Sequence, residues 1–170
     1  SGIIVSLPAI VRRYVLETKP ADLLSFWRAL VQEEVEAYYF ACLNHFRLPT
    51  ERVGDETEMF TGVAETYSLS DLMNLIYNSC QAAAGEQKAK GLSNPHARNM
   101  AKKIVSNRIE RARSEGWDIK KGYRSDLMPA SYLVRYFSTE FLPLGASIYE
   151  EQAPNAEAIA AALDTLKVTR

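Results

Sequence analysis

"ADLLSFWRALVQEEVEAYYFACLNHF", residues 21–46, is the stretch that decides the fold class. Its apolar side chains recur every three or four residues, which places them on one side of an α-helix. Pro20 stands where a helix tolerates proline, at its start, and Pro49 lies just beyond the other end. The stretch therefore predicts one long helix, with an apolar stripe made of Leu24, Trp27, Val31, Val35, Tyr38, Cys42 and Phe46.

Helical spacing also dominates the rest of the chain, and alternating runs of β-branched residues are too short to favour strands. About five further helices are predicted, over residues 8–17, 71–90, 95–115, 130–142 and from about 155 onward. Ser70 is the expected N-cap of the helix over 71–90, and Asn94 that of the next one. Gly91 and Gly116 are expected to end these two helices.

Short connections between helices favour antiparallel neighbours. We therefore expect an all-α bundle of about six helices, with an amino-terminal helical hairpin packed on a carboxy-terminal bundle. Residues 48–68 are acidic and contain two glycines, which predicts a loop with at most a short helix around 56–63. A single helical domain over residues 1–170 is the expectation, with a possible sub-boundary within 48–68.

The charge of the chain is unevenly distributed, although the formal net charge is only −1. Residues 1–85 carry 6 basic and 11 acidic side chains, and residues 125–170 carry 3 and 6. Between them, residues 86–124 carry 11 basic and 4 acidic side chains. Such an asymmetry indicates a polyanionic or acidic partner, so the basic segment is the first candidate for a functional surface.

The basic segment combines cations with flat side chains, as proteins that bind nucleic-acid backbone do. Arginine is frequent in it, and the planar guanidinium suits bidentate contact with phosphate. The predicted helix over 95–115 and the loop after it thus form a candidate DNA- or RNA-binding surface. Its candidate residues are Arg98, Lys102, Lys103, Arg108, Arg111, Arg113, Trp117, Lys120, Lys121 and Arg124.

Other interpretations of the basic segment remain open. Its cations could pair with the acidic amino-terminal half and form an ordinary solvated helix. The chain could instead be a protein-interaction or assembly subunit, such as a homo-oligomer, without a nucleic-acid role. The order of helix 71–90, the turn "GLSN" and helix 95–115 also resembles a helix-turn-helix, but both helices are longer than that compact motif uses.

Motifs for catalysis, cofactors and metals are absent from the sequence. It contains no Gly-x-Ser-x-Gly, P-loop or dinucleotide fingerprint, so no catalytic residue and no cofactor is predicted. Two histidines and two distant cysteines make a metal site improbable, and we expect Cys42 and Cys80 to be buried, reduced thiols. A non-enzymatic binding protein is favoured over an enzyme that uses scattered acidic residues.

The apolar stretch at residues 3–11 does not predict membrane insertion. It is short and is interrupted by Pro8, and Arg12 and Arg13 follow it rather than precede it. No membrane partner is therefore expected, and a cytoplasmic location is the default.

Overall fold

The computed structural model describes residues 7–52, 56–117, 119–122 and 127–168, and within these ranges the chain is helical without a β-strand. The all-α prediction is thus confirmed. The helices are α1 Leu7–Glu17, α2 Pro20–His45, α3 Glu56–Met59, α4 Leu69–Lys90, α5 Asn94–Glu115, α6 Tyr132–Tyr136, α7 Ala146–Glu151 and α8 Ala156–Val168. A 3-10 turn over Val63–Glu65 and a π-helical turn over Phe137–Phe141 complete the set.

Helices α2 and α4 form the centre of the bundle. α2 packs against α4, α8 and the 3-10 turn, while α4 also packs against α5 and α7. α1 packs against α8 and the π-helical turn, so α8 contacts both of the first two helices. One hydrophobic cluster joins side chains from both ends of the described chain, and its largest fully buried members include Trp27, Tyr38, Tyr39 and Tyr149.

The amino-terminal cap of α4 differs from the prediction, because Ser68 and not Ser70 occupies it. The Ser68 hydroxyl accepts a hydrogen bond from the Asp71 amide at 3.1 Å, and the Asp71 carboxylate accepts one from the Ser68 amide at 3.0 Å. This reciprocal pair needs an acid three residues after the cap, a spacing that Ser68 has. The Ser70 hydroxyl instead donates to the Gly122 carbonyl.

The boundaries of α4 and α5 show one further correction and two confirmed predictions. Ser93 is its N-cap, so Asn94 is the first helical residue rather than the cap. Gly91 and Gly116 end α4 and α5 as predicted, with φ angles of 62° and 65° in the left-handed region that glycine adopts most readily.

Residues 130–142, which we call the aromatic segment, are less regular than the single helix predicted for them. After α6 the backbone widens into the π-helical turn, in which the Leu142 amide donates to the Phe137 carbonyl at 2.8 Å. The short helix α7, which was not among the predicted helices, then follows Gly145. None of the described helices is both long and apolar enough to cross a membrane.

Candidate nucleic-acid interface

Helix α5 carries most of the candidate residues. Because each residue is rotated by about 100° from the one before, the position of a residue in the sequence determines which side of the helix it occupies. Its buried side chains are Ala97, Arg98, Ala101, Val105, Ile109 and Ala112. Lys103 points away from this stripe, Lys102 and Arg113 flank it on one side, and Arg108 and Arg111 flank it on the side of α4. The predicted surface is therefore divided between two flanks of the helix and the outward face that carries Lys103.

Arg98 does not belong to the surface on which the sequence placed it. Its side chain is 3% exposed, and its guanidinium forms a salt bridge of 2.5 Å with the carboxylate of Glu56, which is itself buried. A buried charge that is already paired with a carboxylate is not available to a phosphate. The candidate list is corrected by removing Arg98.

The surroundings of Arg98 explain how a charge is accommodated in the core. One guanidinium nitrogen donates to the Tyr39 hydroxyl at 2.5 Å and another to the Glu51 carbonyl at 3.3 Å. The guanidinium carbon lies 5.2 Å from the ring centroid of Tyr39 and 5.6 Å from that of Phe40, within cation–π range. Burial raises the pKa of the Tyr39 phenol above its usual value despite the opposing effect of Arg98.

Several cations outside the buried stripe of α5 form no ion pair in the described ranges. Arg108 donates to the Ser79 hydroxyl at 3.1 Å, and Arg113 donates to the Thr61 carbonyl at 3.2 Å; both acceptors are neutral. Lys103 and Lys120 are exposed, and neither ammonium forms an ion pair with another residue in the described ranges. Lys102 is half-buried on the flank that it shares with Arg113.

Arg111 and Lys121 have acidic neighbours in the described ranges. Arg111 and Glu115 form an exposed pair with an N–O distance of 3.2 Å, and the Lys121 ammonium lies 4.0 Å from the Glu151 carboxylate. Exposed pairs of this kind contribute about 0–1 kcal/mol and are screened by salt. They reduce the positive potential without preventing contact with a phosphate.

Trp117 lies at the end of α5, where several of the candidate residues meet. The Arg111 guanidinium carbon is 4.5 Å from its ring centroid, and 43% of the tryptophan remains exposed. Trp117, Lys120 and Lys121 line one concavity of about 460 Å³, which Tyr67 and the carboxylate-bearing Asp71 also line. We refer to Arg111, Arg113, Trp117, Lys120 and Lys121 as the carboxy-terminal cluster.

The loop that carries Lys120 and Lys121 is fixed to the start of α4. The Gly122 amide donates to the Ser70 carbonyl at 3.0 Å, and the Asn74 side-chain amide donates to the Lys120 carbonyl. A side chain at Gly122 would not fit, since a Cβ there would be 2.9 Å from the Asn74 Cβ. The loop backbone is thereby held beside α4, whereas Arg124, the last predicted candidate, lies outside the described residues.

The structure also locates the two cysteines, which the sequence left unrelated. Cys42 of α2 and Cys80 of α4 are buried and free, and the neighbouring Cys42 thiol, together with burial, raises the pKa of Cys80. In the part of the chain that the structure describes, no group of three or more His, Cys, Asp or Glu residues is arranged to hold a metal ion.

The chain was compared with known families, curated proteins and solved structures. No family model matches it, and neither a curated protein nor a solved structure is significantly similar. Functional interpretation therefore rests on the chemistry of the surface itself.

Proposed function

We propose that the protein binds DNA or RNA backbone through the exposed cations of α5 and the carboxy-terminal cluster. The observation that carries this proposal is the position of Trp117, which is half exposed in a concavity beside Lys120 and Lys121. Cations next to an accessible aromatic ring fit a phosphate and the base attached to it.

The charge of α5 and of the loop after it supports the same function. Residues 99–117 and 119–122 contain seven lysines and arginines and only two glutamates. Arg113, Lys120 and Lys103 have no carboxylate partner in the described ranges, so an incoming phosphate would displace only water and counterions. Such contacts position a protein on a nucleic acid and carry little sequence information.

Fluorescence polarisation with labelled single-stranded and duplex DNA and RNA tests the proposal at low salt. The informative variant is the double charge reversal of Lys103→Glu with Lys120→Glu, because neither side chain holds an ion pair in the described structure. We expect binding by the native protein and a loss of at least about tenfold in affinity for the variant. Arg108 is less suitable, since its guanidinium binds the buried Ser79.

The matched control reverses two exposed cations outside the basic segment, Lys19→Glu with Arg135→Glu. It changes the net charge by the same amount and should retain most of the affinity. An absence of binding to every nucleic acid would overturn the proposal, as would an equal loss in both double variants, which would indicate an effect of net charge alone.

Assembly with another protein is a second candidate function, favoured by the exposure of the aromatic segment. Tyr132 is 84% exposed and Leu133 is 53% exposed, and the Tyr132 ring stacks on Tyr136 with centroids 6.3 Å apart. Exposed apolar side chains that are grouped in this way often mark an interface. Light scattering on nuclease-treated protein distinguishes this function, because it would give an oligomer that nucleic acid does not change.

A further inference from the structure

A groove between α1, α2, α6 and the π-helical turn lies apart from the basic segment, and its lining is mostly aromatic and apolar. Its volume is about 430 Å³, within the range of small-molecule sites. Five of the nine residues that line it are aromatic, and none belongs to α5 or to the loop after it.

The apolar end of the groove is built from aromatic rings that contact one another. Phe137 is buried and forms the floor, with its ring centroid 5.3 Å from that of Phe26 and 5.7 Å from that of Phe141. Tyr14 is 64% exposed and Phe26 is 43% exposed, which is unusual for large rings so close together. An apolar or aromatic body placed here would remove several ring faces from water.

The other end of the groove lies at the turn from α1 to α2 and offers hydrogen-bond acceptors. Thr18 and Asp22 each lie one helical turn from an aromatic residue of the groove, Tyr14 and Phe26 respectively. The Thr18 hydroxyl donates its proton to the Tyr14 carbonyl at 2.8 Å, so the Thr18 oxygen can accept a hydrogen bond from a ligand. Asp22 is the one charged residue in the lining and has no ion pair among the residues described.

We propose that this groove binds a small organic cation, a protonated amine attached to an aromatic or bulky apolar body. The ammonium group would donate to the Asp22 carboxylate and the Thr18 oxygen, while the body packs against Tyr14, Phe26 and Phe141. A carboxylate at one end and aromatic faces along the rest complement both parts of such a ligand, since ring faces also attract cations. The proposal does not depend on nucleic-acid binding.

Three probes of one shape test the assignment by calorimetry or by NMR titration. They are phenethylammonium, 2-phenylethanol and phenylacetate, which share the ring and differ in the charge of the terminal group. We expect the ammonium to bind about tenfold more tightly than the alcohol, because its hydrogen bond to a carboxylate is charge-assisted. Phenylacetate should bind most weakly. Equal affinity for the three probes, or no binding of the ammonium, would overturn the proposal.

Two variants identify which residues act. Asp22→Asn should reduce ammonium binding to the level of the alcohol and leave alcohol binding unchanged, whereas Phe26→Ala should weaken both. Glu58→Gln, an exposed change on α3 outside the groove, should alter neither. Unchanged ammonium binding by Asp22→Asn would contradict the proposal. A dimer that Phe26→Ala dissociates, with no probe binding, would contradict it too and would instead make a second copy of the chain the occupant.

Discussion

Arg98 belongs to the basic segment by sequence, but its side chain lies in the core. Removing a guanidinium from water costs several kcal/mol, and the attraction of a nearby carboxylate offsets this cost only with good geometry. Glu56, Tyr39 and Phe40 supply that geometry, with a salt bridge, a hydroxyl acceptor and a ring face. We therefore assign Arg98 to stability rather than to ligand contact.

Removing one member of this buried pair should destabilise the fold strongly. Glu56→Gln leaves the guanidinium of Arg98 buried without a countercharge, and we expect the free energy of unfolding to fall by about 3–5 kcal/mol in urea denaturation. Glu115→Gln, which breaks the exposed pair with Arg111, should cost less than about 1 kcal/mol. Similar small losses in both variants would show that the Arg98–Glu56 pair does not support the core.

Alkaline pH should destabilise the protein through Tyr39. Burial raises the pKa of its phenol in the folded chain, whereas in the unfolded chain the phenol ionises near pH 10. Above that pH the unfolded state binds fewer protons than the folded state, so stability is present below pH 10 and is lost as the pH rises further. Thermal denaturation from pH 8 upward should show a shallower decline for Tyr39→Phe, but an unchanged decline for Tyr132→Phe, whose ring is exposed.

The sequence contained part of the information about Arg98. It lies three residues before Ala101 and seven before Val105, so it shares their buried stripe, and this spacing could have excluded it from the surface. Its partner could not be identified in the same way, because residues 51–65 hold several acids and only the tertiary fold selects Glu56. The contact between Cys42 and Cys80 likewise depends on how α2 packs against α4.

At the scale of elements, the loop after α5 depends on close contact with α4. Gly122→Ala would place a Cβ 2.9 Å from the Asn74 Cβ and 3.1 Å from its backbone nitrogen, which no change of rotamer relieves. We expect a loss of about 1–3 kcal/mol in stability and a change in Trp117 emission as the loop moves. Trp27 is fully buried, so a change in solvent contact reports mainly on Trp117.

Gly85 provides the matched control for this change, since a Cβ there meets no atom within 4 Å. Gly85→Ala lies inside α4 and should stabilise the protein by about 0.5–1 kcal/mol without altering Trp117 emission. If Gly122→Ala behaved like Gly85→Ala, the loop would not be held against α4 as the structure has it.

Elements were predictable where the local sequence is sufficient to define them. Periodicity predicts the long helix α2, and backbone preference predicts its start at Pro20 and the ends of α4 and α5 at Gly91 and Gly116. The helix start at Ser68 was missed, although its spacing to Asp71 is a recognisable capping pattern. The π-helical turn and α7 could not be foreseen, because their hydrogen bonds depend on how Phe137 and Tyr149 pack together.

Across the whole molecule, acidic and basic side chains are only partly matched. The core pairs Arg98 with Glu56, and a half-exposed pair joins Arg52 to Glu36 at 3.3 Å. The remaining cations of α5 and the carboxy-terminal cluster keep a positive surface beside an exposed tryptophan. We propose that this surplus of positive charge, rather than any single residue, binds nucleic acid.

The salt dependence of binding to a labelled single-stranded oligonucleotide tests this claim most directly. The logarithm of the association constant should fall linearly with the logarithm of salt concentration, with a slope of about −0.7 for each phosphate neutralised. Lys103→Glu with Lys120→Glu should make the slope shallower by roughly 1.4, because two such contacts are lost. Binding that is absent at low salt, or a slope that the double variant leaves unchanged, would contradict a functional role for these cations.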